Sequence, residues 1–213
     1  GASAKYLGLP SEKEYAGKGV SACATCDGFF YRKKTVAVVG GGDTACEEAL
    51  YLAGLCKQVY LIVRKPYLRA SEIMQQRVKE KENISVLFEH NTVRLTGEDK
   101  VSGADLVFRK GEPDEKQVHI DIDGFFLAIG HTPNSALFKD FLTTDSQGYI
   151  ITESDTPKTN VEGVFAAGDV ADPRYRQAIT AAASGCKAAI STSLPNSCRK
   201  DVTPLSVKPQ GLM

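Results

Sequence analysis

The spacing of apolar residues predicts alternating strands and helices in the first part of the chain. Residues 35–40 are an almost continuous apolar run, typical of a buried parallel strand. A helix is predicted from Thr44 to about Gly54, because Thr44 and Glu47 have the spacing of a capping box and Gly54 is a suitable stop. Residues 58–63 alternate and then become apolar, which predicts a second strand. This order predicts a right-handed βαβ unit.

Residues 71–130 predict one more helix and several more strands. An amphipathic helix is predicted over 71–81 and a strand over 84–88. Antiparallel hairpins are predicted over 92–122, where Gly- and Pro-containing turns separate short segments. Residues 124–130 predict a buried strand that returns to the sheet. The loop after it contains Pro133, which cannot continue a central strand, and is the predicted domain boundary.

The remaining chain predicts a second, smaller region. Short strands are predicted over 148–151 and 163–167, and an alanine-rich helix from Arg176 to about Ile190. After Ile190, two prolines and the loss of apolar periodicity predict a disordered tail. The predicted divisions are residues 6–130, residues 131–190 and a tail over 191–213.

Two motifs near the amino end carry recognisable chemistry. Cys23 and Cys26, two residues apart, can close a small exchangeable disulfide, and this spacing tends to lower the pKa of one thiol. The predicted first strand then ends in Gly40, Gly42 and Ala45, which match the dinucleotide fingerprint. There the first glycine makes a tight turn, the second lets backbone approach a pyrophosphate, and the small third residue lets helix pack on strand. Each motif alone is a weak signal; in this order they form a strong one.

The residues after the second predicted strand bear on cofactor choice. An NAD site has an acid here to accept a hydrogen bond from the ribose 2′-hydroxyl. This chain has Arg64, Lys65 and Arg69 instead, and such cations pair with the oxygens of a 2′-phosphate. A solvated basic loop is the alternative. The pattern favours NADPH.

Composition narrows the remaining classes. Lys+Arg and Asp+Glu number 26 each, so nothing indicates a nucleic-acid or membrane surface. No apolar run approaches the roughly 18 residues of a membrane helix. Of the six cysteines only Cys23 and Cys26 have redox spacing, and no second pair completes a zinc site. Cys46, Cys56 and Cys186 are expected to be small buried hydrophobes, which favours a reducing cytoplasm.

Five segments of the chain carry a family resemblance: Cys-Ala-Thr-Cys-Asp-Gly-Phe-Phe-Tyr from Cys23, Val-Ala-Val-Val-Gly-Gly-Gly-Asp-Thr-Ala from Val36, Ala-Ile-Gly-His-Thr-Pro-Asn from Ala128, Gly-Val-Phe-Ala-Ala-Gly-Asp-Val from Gly163, and Tyr-Arg-Gln-Ala-Ile-Thr from Tyr175. Together they resemble the low-molecular-weight, bacterial-type thioredoxin reductases, and the resemblance extends from residue 1 to about residue 190. The family usually has His-Arg-Arg where this chain has Val63, Arg64 and Lys65, so one bidentate contact to phosphate becomes a point-charge contact. The resemblance implies an α/β fold with a Rossmann-like NADPH domain, followed by the carboxyl-terminal part of a split FAD domain.

The resemblance also implies site residues. The cofactor-binding candidates at the nucleotide fold are Gly40, Gly42, Asp43, Thr44, Ala45, Glu47, Arg64, Lys65, Arg69, Ile129 and Gly130. The flavin-binding candidates are Gly168, Asp169, Arg176, Gln177 and Ala178. Asp169 would hold ribityl hydroxyls, and the start of the following helix would face the isoalloxazine. A small-residue helix that merely packs tightly is compatible with the same residues.

The implied reaction runs from NADPH through FAD and the Cys23–Cys26 disulfide to thioredoxin. By resemblance, Cys26 is the thiol on the flavin side, Cys23 attacks the partner disulfide, and Asp27 is the adjacent acid/base. From the residues alone, Asp27 is either a proton donor or a turn-forming Asp-Gly. The family is typically a homodimer, and no metal is implied.

Other interpretations remain open at this point. One is an alkyl-hydroperoxide-reductase-type flavoprotein, although Ala24 and Thr25 between the thiols favour thioredoxin reductase. Another is a non-catalytic NADPH-binding remnant. Because only one Gly-x-Gly turn is present, we expect the chain to begin within a longer protein and to lack an amino-terminal flavin-binding segment of roughly a hundred residues. The fragment alone is then expected to be inactive.

Overall fold

A computed structural model describes residues 1–193 of the 213-residue chain. The chain divides into two compact units. The first unit is Ala4–His131, and the second combines Gly1–Ser3 with the residues from Thr132 onward. The predicted tail lies, from residue 194, outside the described residues.

The elements alternate between strands and helices through much of the first unit. In chain order they are β1 (Ala2–Ala4), α1 (Pro10–Glu14), β2 (Val20–Ser21), α2 (Ala24–Asp27), β3 (Thr35–Val39), α3 (Asp43–Ala53), β4 (Gln58–Val63), α4 (Glu72–Lys79), β5 (Ile84–Phe88), β6 (His90–Gly97), β7 (Val101–Phe108), β8 (Lys116–Asp121), β9 (Gly124–Leu127), β10 (His131–Pro133) and α5 (Ala178–Ser193), with 3-10 turns at Gly28–Tyr31 and Ala136–Phe138.

A five-stranded parallel sheet in the order β2-β9-β3-β4-β5 forms the centre of the first unit. β3 pairs with β4 up to Val39 opposite Ile62, and with β9 up to Val39 opposite Leu127. Ser21 of β2 lies opposite Phe126 of β9. The carboxyl ends of β4, β3, β9 and β2 therefore follow one another along one edge of the sheet. The strands β6, β7 and β8 form the predicted antiparallel hairpins, and the predicted α/β fold is confirmed.

Alternate residues of β3 supply two hydrophobic clusters, one on each face of the sheet. Val36 and Val38 are fully buried in a cluster that includes Leu52 of α3. Ala37 belongs to the other cluster, together with Leu106 of β7. Because both faces are covered, the four residues from Val36 to Val39 are all apolar rather than alternating, which is why the pattern is easy to recognise in the sequence.

The capping box predicted for α3 is wrong. The helix begins at Asp43, and its N-cap is Gly42, which has no side chain to accept a hydrogen bond. Thr44 is consequently already the second residue of the helix, too far along to cap it. The predicted end is confirmed, since Gly54 is the C-cap residue.

The predicted loop at the domain boundary also differs, because His131–Pro133 forms the short strand β10. It pairs with β1 in a two-stranded sheet. In a sheet of two strands each strand has an open edge, so Pro133 is tolerated there, although it would interrupt a central strand.

The second unit has fewer regular elements than the sequence predicts. Residues 148–151 and 163–167 do not form strands, because each segment makes one isolated bridge: Ile150 with Thr144, and Phe165 with Lys158. A small apolar cluster contains Leu142, Ile150 and Ala166. Helix α5 begins at Ala178, two residues later than predicted, and extends to Ser193.

The free cysteines are distributed differently from the prediction. Cys46 and Cys56 are buried as expected. Cys186 is exposed, and it lies on α5, a helix with no buried residue. Within residues 1–193, no helix combines the length and apolar character needed to cross a membrane.

Candidate functional site

A disulfide joins Cys23 and Cys26 at the end of β2. The S–S distance is 2.04 Å and the two Cα atoms lie 5.3 Å apart, so the predicted bond between these cysteines is confirmed. The chain turns into the four-residue helix α2 directly after Cys23, which brings the two sulfurs together. Cys26 is exposed and Cys23 is half-buried, so the bond can be reached from solvent.

The sulfur of Cys23 receives polar contacts from its own turn. The backbone N–H of Cys26 donates to Cys23 Sγ at 3.2 Å, and Thr25 Oγ1 lies 3.4 Å from the same sulfur. A thiolate is a better acceptor than a thiol, so these contacts favour a charged Cys23 once the bond is reduced.

Ser21 connects the disulfide to Asp27. Its buried hydroxyl donates to Asp27 Oδ2 at 2.7 Å and accepts the backbone N–H of Cys23 at 3.1 Å. The Asp27 carboxylate is thereby fixed next to the redox turn. Sequence reasoning missed Ser21, because the recognisable motif begins two residues later and a serine at the end of a strand carries no signal of its own.

Two aromatic side chains are exposed immediately after the redox turn. Phe29 is 63% exposed and Phe30 is 71% exposed. The Arg32 guanidinium lies 5.4 Å from the centre of the Phe29 ring. Large apolar side chains exposed side by side next to a reactive group are a common feature of protein-binding surfaces.

A cleft of about 700 Å³ lies along the carboxyl edge of the sheet, within the first unit. Its lining residues are Lys5, Leu7, Val39, Gly40, Gly41, Gly42, Asp43, Thr44, Ile62, Val63, Arg64, Lys65, Tyr67, Arg69, His90, Asn91, Thr92, Ala128, Ile129 and Gly130. Of the nucleotide-site candidates, Ala45 and Glu47 are not among them. Sequence reasoning missed Lys5, Tyr67 and the residues from His90 to Thr92, which lie far from the glycine motif in the chain.

The glycine turn has the geometry that close approach by a phosphate requires. Gly40 has φ = +149°, and a Cβ there would stand 2.5 Å from the carbonyl oxygen of Ala128 and 2.7 Å from Cβ of Ala45. Ala45 is fully buried and packs under the turn, against Gly40, instead of lining the cleft. A Cβ at Gly42 would meet nothing within 4 Å, so its backbone faces open space. These residues fit a pyrophosphate laid on the start of α3.

Asp43 has a structural partner at the rim of the cleft. The backbone N–H and the hydroxyl of Ser71 donate to Asp43 Oδ1 at 2.8 and 2.9 Å. These hydrogen bonds lower the pKa of the Asp43 carboxyl, chiefly through the Ser71 backbone contact. The pair ties the start of α3 to the residue that precedes α4.

Arg64, Lys65 and Arg69 follow β4 and line one end of the cleft. The backbone N–H of Arg69 donates to the carbonyl of Gly41 at 2.6 Å, which fixes this basic loop to the glycine turn. Within residues 1–193, no salt bridge joins any of the three cations to a carboxylate. Their charge is therefore available to a ligand phosphate.

The flavin-site candidates all lie in the second unit. Gly168 has φ = +77°, and its N–H donates to Ser184 Oγ of α5 at 2.8 Å. Asp169, the next residue, is half-buried. Arg176 has φ = +46°, and its guanidinium donates to the Pro173 carbonyl, so the backbone turns sharply before Ala178 begins α5. Thr180 Oγ1 donates to the Gln177 carbonyl at 2.9 Å.

A glycine turn that fits a pyrophosphate and an accessible disulfide lie on the same edge of this parallel sheet, a combination typical of the nucleotide-dependent disulfide oxidoreductases. The chain belongs to the pyridine nucleotide-disulphide oxidoreductase family, whose family model matches residues 1–185.

Individual relatives support this assignment. The thioredoxin reductase of Coxiella burnetii is 52% identical over 197 residues, covering 89% of this chain and 61% of the relative. The glucosaminate ammonia-lyase of Pseudomonas fluorescens is 50% identical over 200 residues, covering 90% and 61%. The solved thioredoxin reductase from Giardia duodenalis superposes with a TM-score of 0.83 at 40% identity, covering 91% of this chain and 62% of that one. The chain thus spans about three fifths of the length of these relatives.

Proposed function

We propose that the chain carries the nucleotide site and the redox disulfide of a thioredoxin-disulfide reductase that uses NADPH and FAD. The observation that carries the proposal is the position of the accessible Cys23–Cys26 disulfide, which follows β2 on the same sheet edge as the nucleotide cleft. The similarity to proteins named thioredoxin reductase supports the same activity.

NADPH is the proposed nucleotide because of the charge on the cleft. The glycine turn from Gly40 to Gly42 would receive the pyrophosphate, and the cations after β4 would receive the 2′-phosphate. Asp43, the acid among the residues that line the cleft, already accepts two hydrogen bonds from Ser71, so we do not assign it to the ribose 2′-hydroxyl that an NAD site would bind. Ile129 and Gly130 extend the lining past β9.

FAD is proposed to contact the second unit. Gly168 and Asp169 would hold the ribityl chain, and residues 176–178, where α5 begins, would lie at the ring system. The open backbone at Gly168, where a Cβ would meet only Ala181 Cβ at 3.8 Å, fits a ligand that approaches closely. The bound flavin would supply two-electron transfer between the nicotinamide and the disulfide.

Reduction of the disulfide takes up two electrons and one proton and leaves Cys23 as a thiolate and Cys26 as a thiol. The Cys23 thiolate, favoured by the Cys26 N–H, would attack one sulfur of the partner disulfide and form a mixed disulfide. The Asp27 carboxylate, held by Ser21, would accept the proton of the Cys26 thiol and pass it to the leaving thiolate of the partner. The Cys26 thiolate formed in this way would then attack the Cys23 sulfur of the mixed disulfide, which releases the second partner sulfur as a thiolate and restores the Cys23–Cys26 disulfide.

Thioredoxin is the proposed partner, and the exposed rings of Phe29 and Phe30 offer it an apolar contact next to the reactive bond. A homodimeric assembly of the full-length protein and a cytoplasmic location, suggested by the cysteine usage, belong to the same proposal.

The alternative activity is that of the relative from Pseudomonas fluorescens, whose name describes an ammonia-lyase that acts on glucosaminate. A lyase has no need of an exchangeable dithiol, so the thiols discriminate between the two.

The half-reaction of the thiols provides the test. The chain is reduced with dithiothreitol, freed of reductant and mixed with oxidised thioredoxin, and the thiols of both proteins are counted by alkylation and mass spectrometry. We expect thioredoxin to gain two thiols for each pair that the chain loses, and Cys23→Ser to abolish the exchange. A reduced chain that leaves thioredoxin oxidised would contradict the proposal.

Cofactor preference is tested separately by calorimetric titration. Replacing Arg64, Lys65 and Arg69 with Ala is expected to weaken NADPH binding while leaving NADH nearly unchanged. An equal loss for both nucleotides would remove these residues from the 2′-phosphate site.

A further inference from the structure

The segment of residues 5–9 contributes two residues to one wall of the nucleotide cleft, although it precedes the glycine turn by more than thirty positions in the sequence. Lys5 and Leu7 both line the cleft. The backbone N–H of Lys5 donates to the carbonyl of Gly130 at 2.9 Å, which fixes Lys5 beside the residues that follow β9. The stem of Lys5 lies against this glycine, with Cδ 3.9 Å from the position of a Gly130 Cβ.

A buried carboxylate holds the other end of this wall. Glu12 is only 2% exposed, and it accepts three backbone hydrogen bonds: from Leu7 at 3.0 Å, from Gly8 at 2.8 Å and from Leu9 at 2.9 Å. Its neighbour Ser11 accepts the backbone N–H of Leu95 in β6 at 3.0 Å, which attaches α1 to the hairpin sheet. The wall is therefore fixed at both ends rather than being a free loop.

The position of Lys5 along the sheet edge separates it from the other cations. Arg64 and Lys65 follow β4, whereas Lys5 is bonded to the residue that follows β9, on the other side of β3. The glycine turn after β3 lies between them. In residues 1–193, no salt bridge pairs Lys5 with a carboxylate. Lys5 therefore lies beside the glycine turn that would receive the pyrophosphate, on the side away from the cations that would receive the 2′-phosphate.

We propose that Lys5 binds the pyrophosphate of the dinucleotide and that Glu12 is the positioning residue that holds the Lys5 wall at the cleft. The proposal rests on the proposed function of the cleft as a nucleotide site. It divides the recognition of NADPH between two groups of cations: those after β4 distinguish NADPH from NADH, and Lys5 serves both nucleotides equally because both contain a pyrophosphate.

Three ligands of different composition test this division by calorimetric titration of the full 213-residue chain. NADPH has both phosphate groups, NADH has the pyrophosphate only, and 2′-AMP has the 2′-phosphate only. We expect Lys5→Met to weaken NADPH and NADH alike, by about tenfold, as for loss of a charged hydrogen bond, and to leave 2′-AMP unchanged. Arg64→Ala should show the reverse pattern, weakening NADPH and 2′-AMP but not NADH.

The matched control is Lys13→Met, which removes the same charge from an exposed position of α1 outside the cleft. It should leave all three affinities unchanged. The role of Lys5 would be overturned if Lys5→Met bound NADH as tightly as the unaltered chain does. It would also be overturned if Lys5→Met lost as much affinity for 2′-AMP as for NADH. If the unaltered chain binds none of the three ligands, the proposed nucleotide site itself is wrong. That outcome is distinguishable from a failure of the Lys5 proposal, which is seen only in the Lys5→Met variant.

Glu12→Gln tests the positioning role. We expect it to reproduce the ligand pattern of Lys5→Met, because a neutral amide holds three N–H donors less strongly than a carboxylate does. If Glu12→Gln disturbed the fold of the whole cleft, the affinity for 2′-AMP would fall as well, and that result would contradict the positioning role of Glu12. If Glu12→Gln does not fold, Glu12→Asp keeps the charge but shortens the side chain, and the same pattern is expected from it.

Discussion

Ser21 is the residue whose removal best separates the thiol chemistry from the nucleotide site. We expect Ser21→Ala to slow thiol exchange with thioredoxin by about tenfold, since the hydroxyl that holds the Asp27 carboxylate is lost. The affinity for NADPH should not change. Exchange is measured by stopped-flow mixing of the reduced chain with oxidised thioredoxin. Ser102→Ala, at an exposed position of β7, is the control, and equal rates for both variants would contradict the role of Ser21.

The cysteines should differ sharply in their reactivity. Burial raises the pKa of the Cys46 and Cys56 thiols to about 11, with nearby carboxylates as a smaller cause. Iodoacetamide at pH 7.5 should therefore modify Cys23 and Cys26 after reduction and spare Cys46 and Cys56. Peptide mass spectrometry measures the labelled fraction at each site. Rapid labelling of Cys46 in the folded chain would show that α3 opens readily.

At the scale of elements, the glycine turn offers two substitutions with opposite consequences. Gly40→Ala should lower the free energy of unfolding by at least about 2 kcal/mol, because a left-handed φ is combined with a clash against the Ala128 carbonyl. Gly42→Ala should keep the fold, since its Cβ meets nothing, but should weaken NADPH by occupying the space of the phosphate. Denaturant unfolding and calorimetry measure the two effects. Equal stability of the two variants would contradict this assignment of roles.

The hairpin sheet should carry a pH-dependent contribution to stability. His119 Nδ1 lies 2.6 Å from Asp105 Oδ1, with Arg94 2.8 Å from the other oxygen and Asp121 3.5 Å from the His119 ring. The hydrogen bond with Asp105 raises the pKa of His119 above 6.5, and the one with His119 lowers the pKa of Asp105 below 3.8, helped by Arg94. Stability from His119 is present below pH 6.5 and is lost as pH rises through the raised pKa. Stability from Asp105 is present above pH 3.8 and is lost as pH falls through the lowered pKa.

Thermal unfolding of the His119→Asn variant tests this window. The difference in Tm from the unaltered chain should be largest near pH 5, where both charges are present, and should shrink at pH 8. His90→Asn is a suitable comparison, because the His90 ring contacts the Phe88 carbonyl rather than a carboxylate. A difference that is constant with pH would mean that the His119 ring acts through packing alone.

Local signals explain which elements the sequence predicted well. The buried strands β3 and β4 and the glycine turn are recognisable because both faces of the sheet are covered and because Gly40 occupies a conformation that other residues avoid. The elements predicted wrongly depend on distant partners. Residues 148–151 have a strand-like composition, but Ile150 finds a single bridge partner. Lys5 enters the cleft through a hydrogen bond to Gly130, 125 positions away, which no spacing rule detects.

At the scale of the whole chain, the two units differ in how much each buries. Leu52 of α3 and Val36 of β3 are fully buried in the first unit, whereas α5 in the second unit has no buried residue. Amides of α5 should therefore exchange with deuterium faster than those of α3, because little packing opposes its local opening. Hydrogen exchange with peptide-level mass spectrometry measures this. Slower exchange in α5 than in α3 would contradict this expectation, because it would mean that contacts other than the packing described above protect α5.

The order of the strands in the sheet keeps the cations that follow β4 away from the disulfide that follows β2. From the basic residues after β4 to the disulfide after β2 there are three strand spacings, about 14 Å. This exceeds the Debye length of about 8 Å at physiological ionic strength, so the charges that select the nucleotide are screened from the sulfurs. Cofactor preference and the redox potential of the disulfide can therefore be tuned independently, and a chain re-engineered to accept NADH at β4 should keep the potential of its Cys23–Cys26 couple.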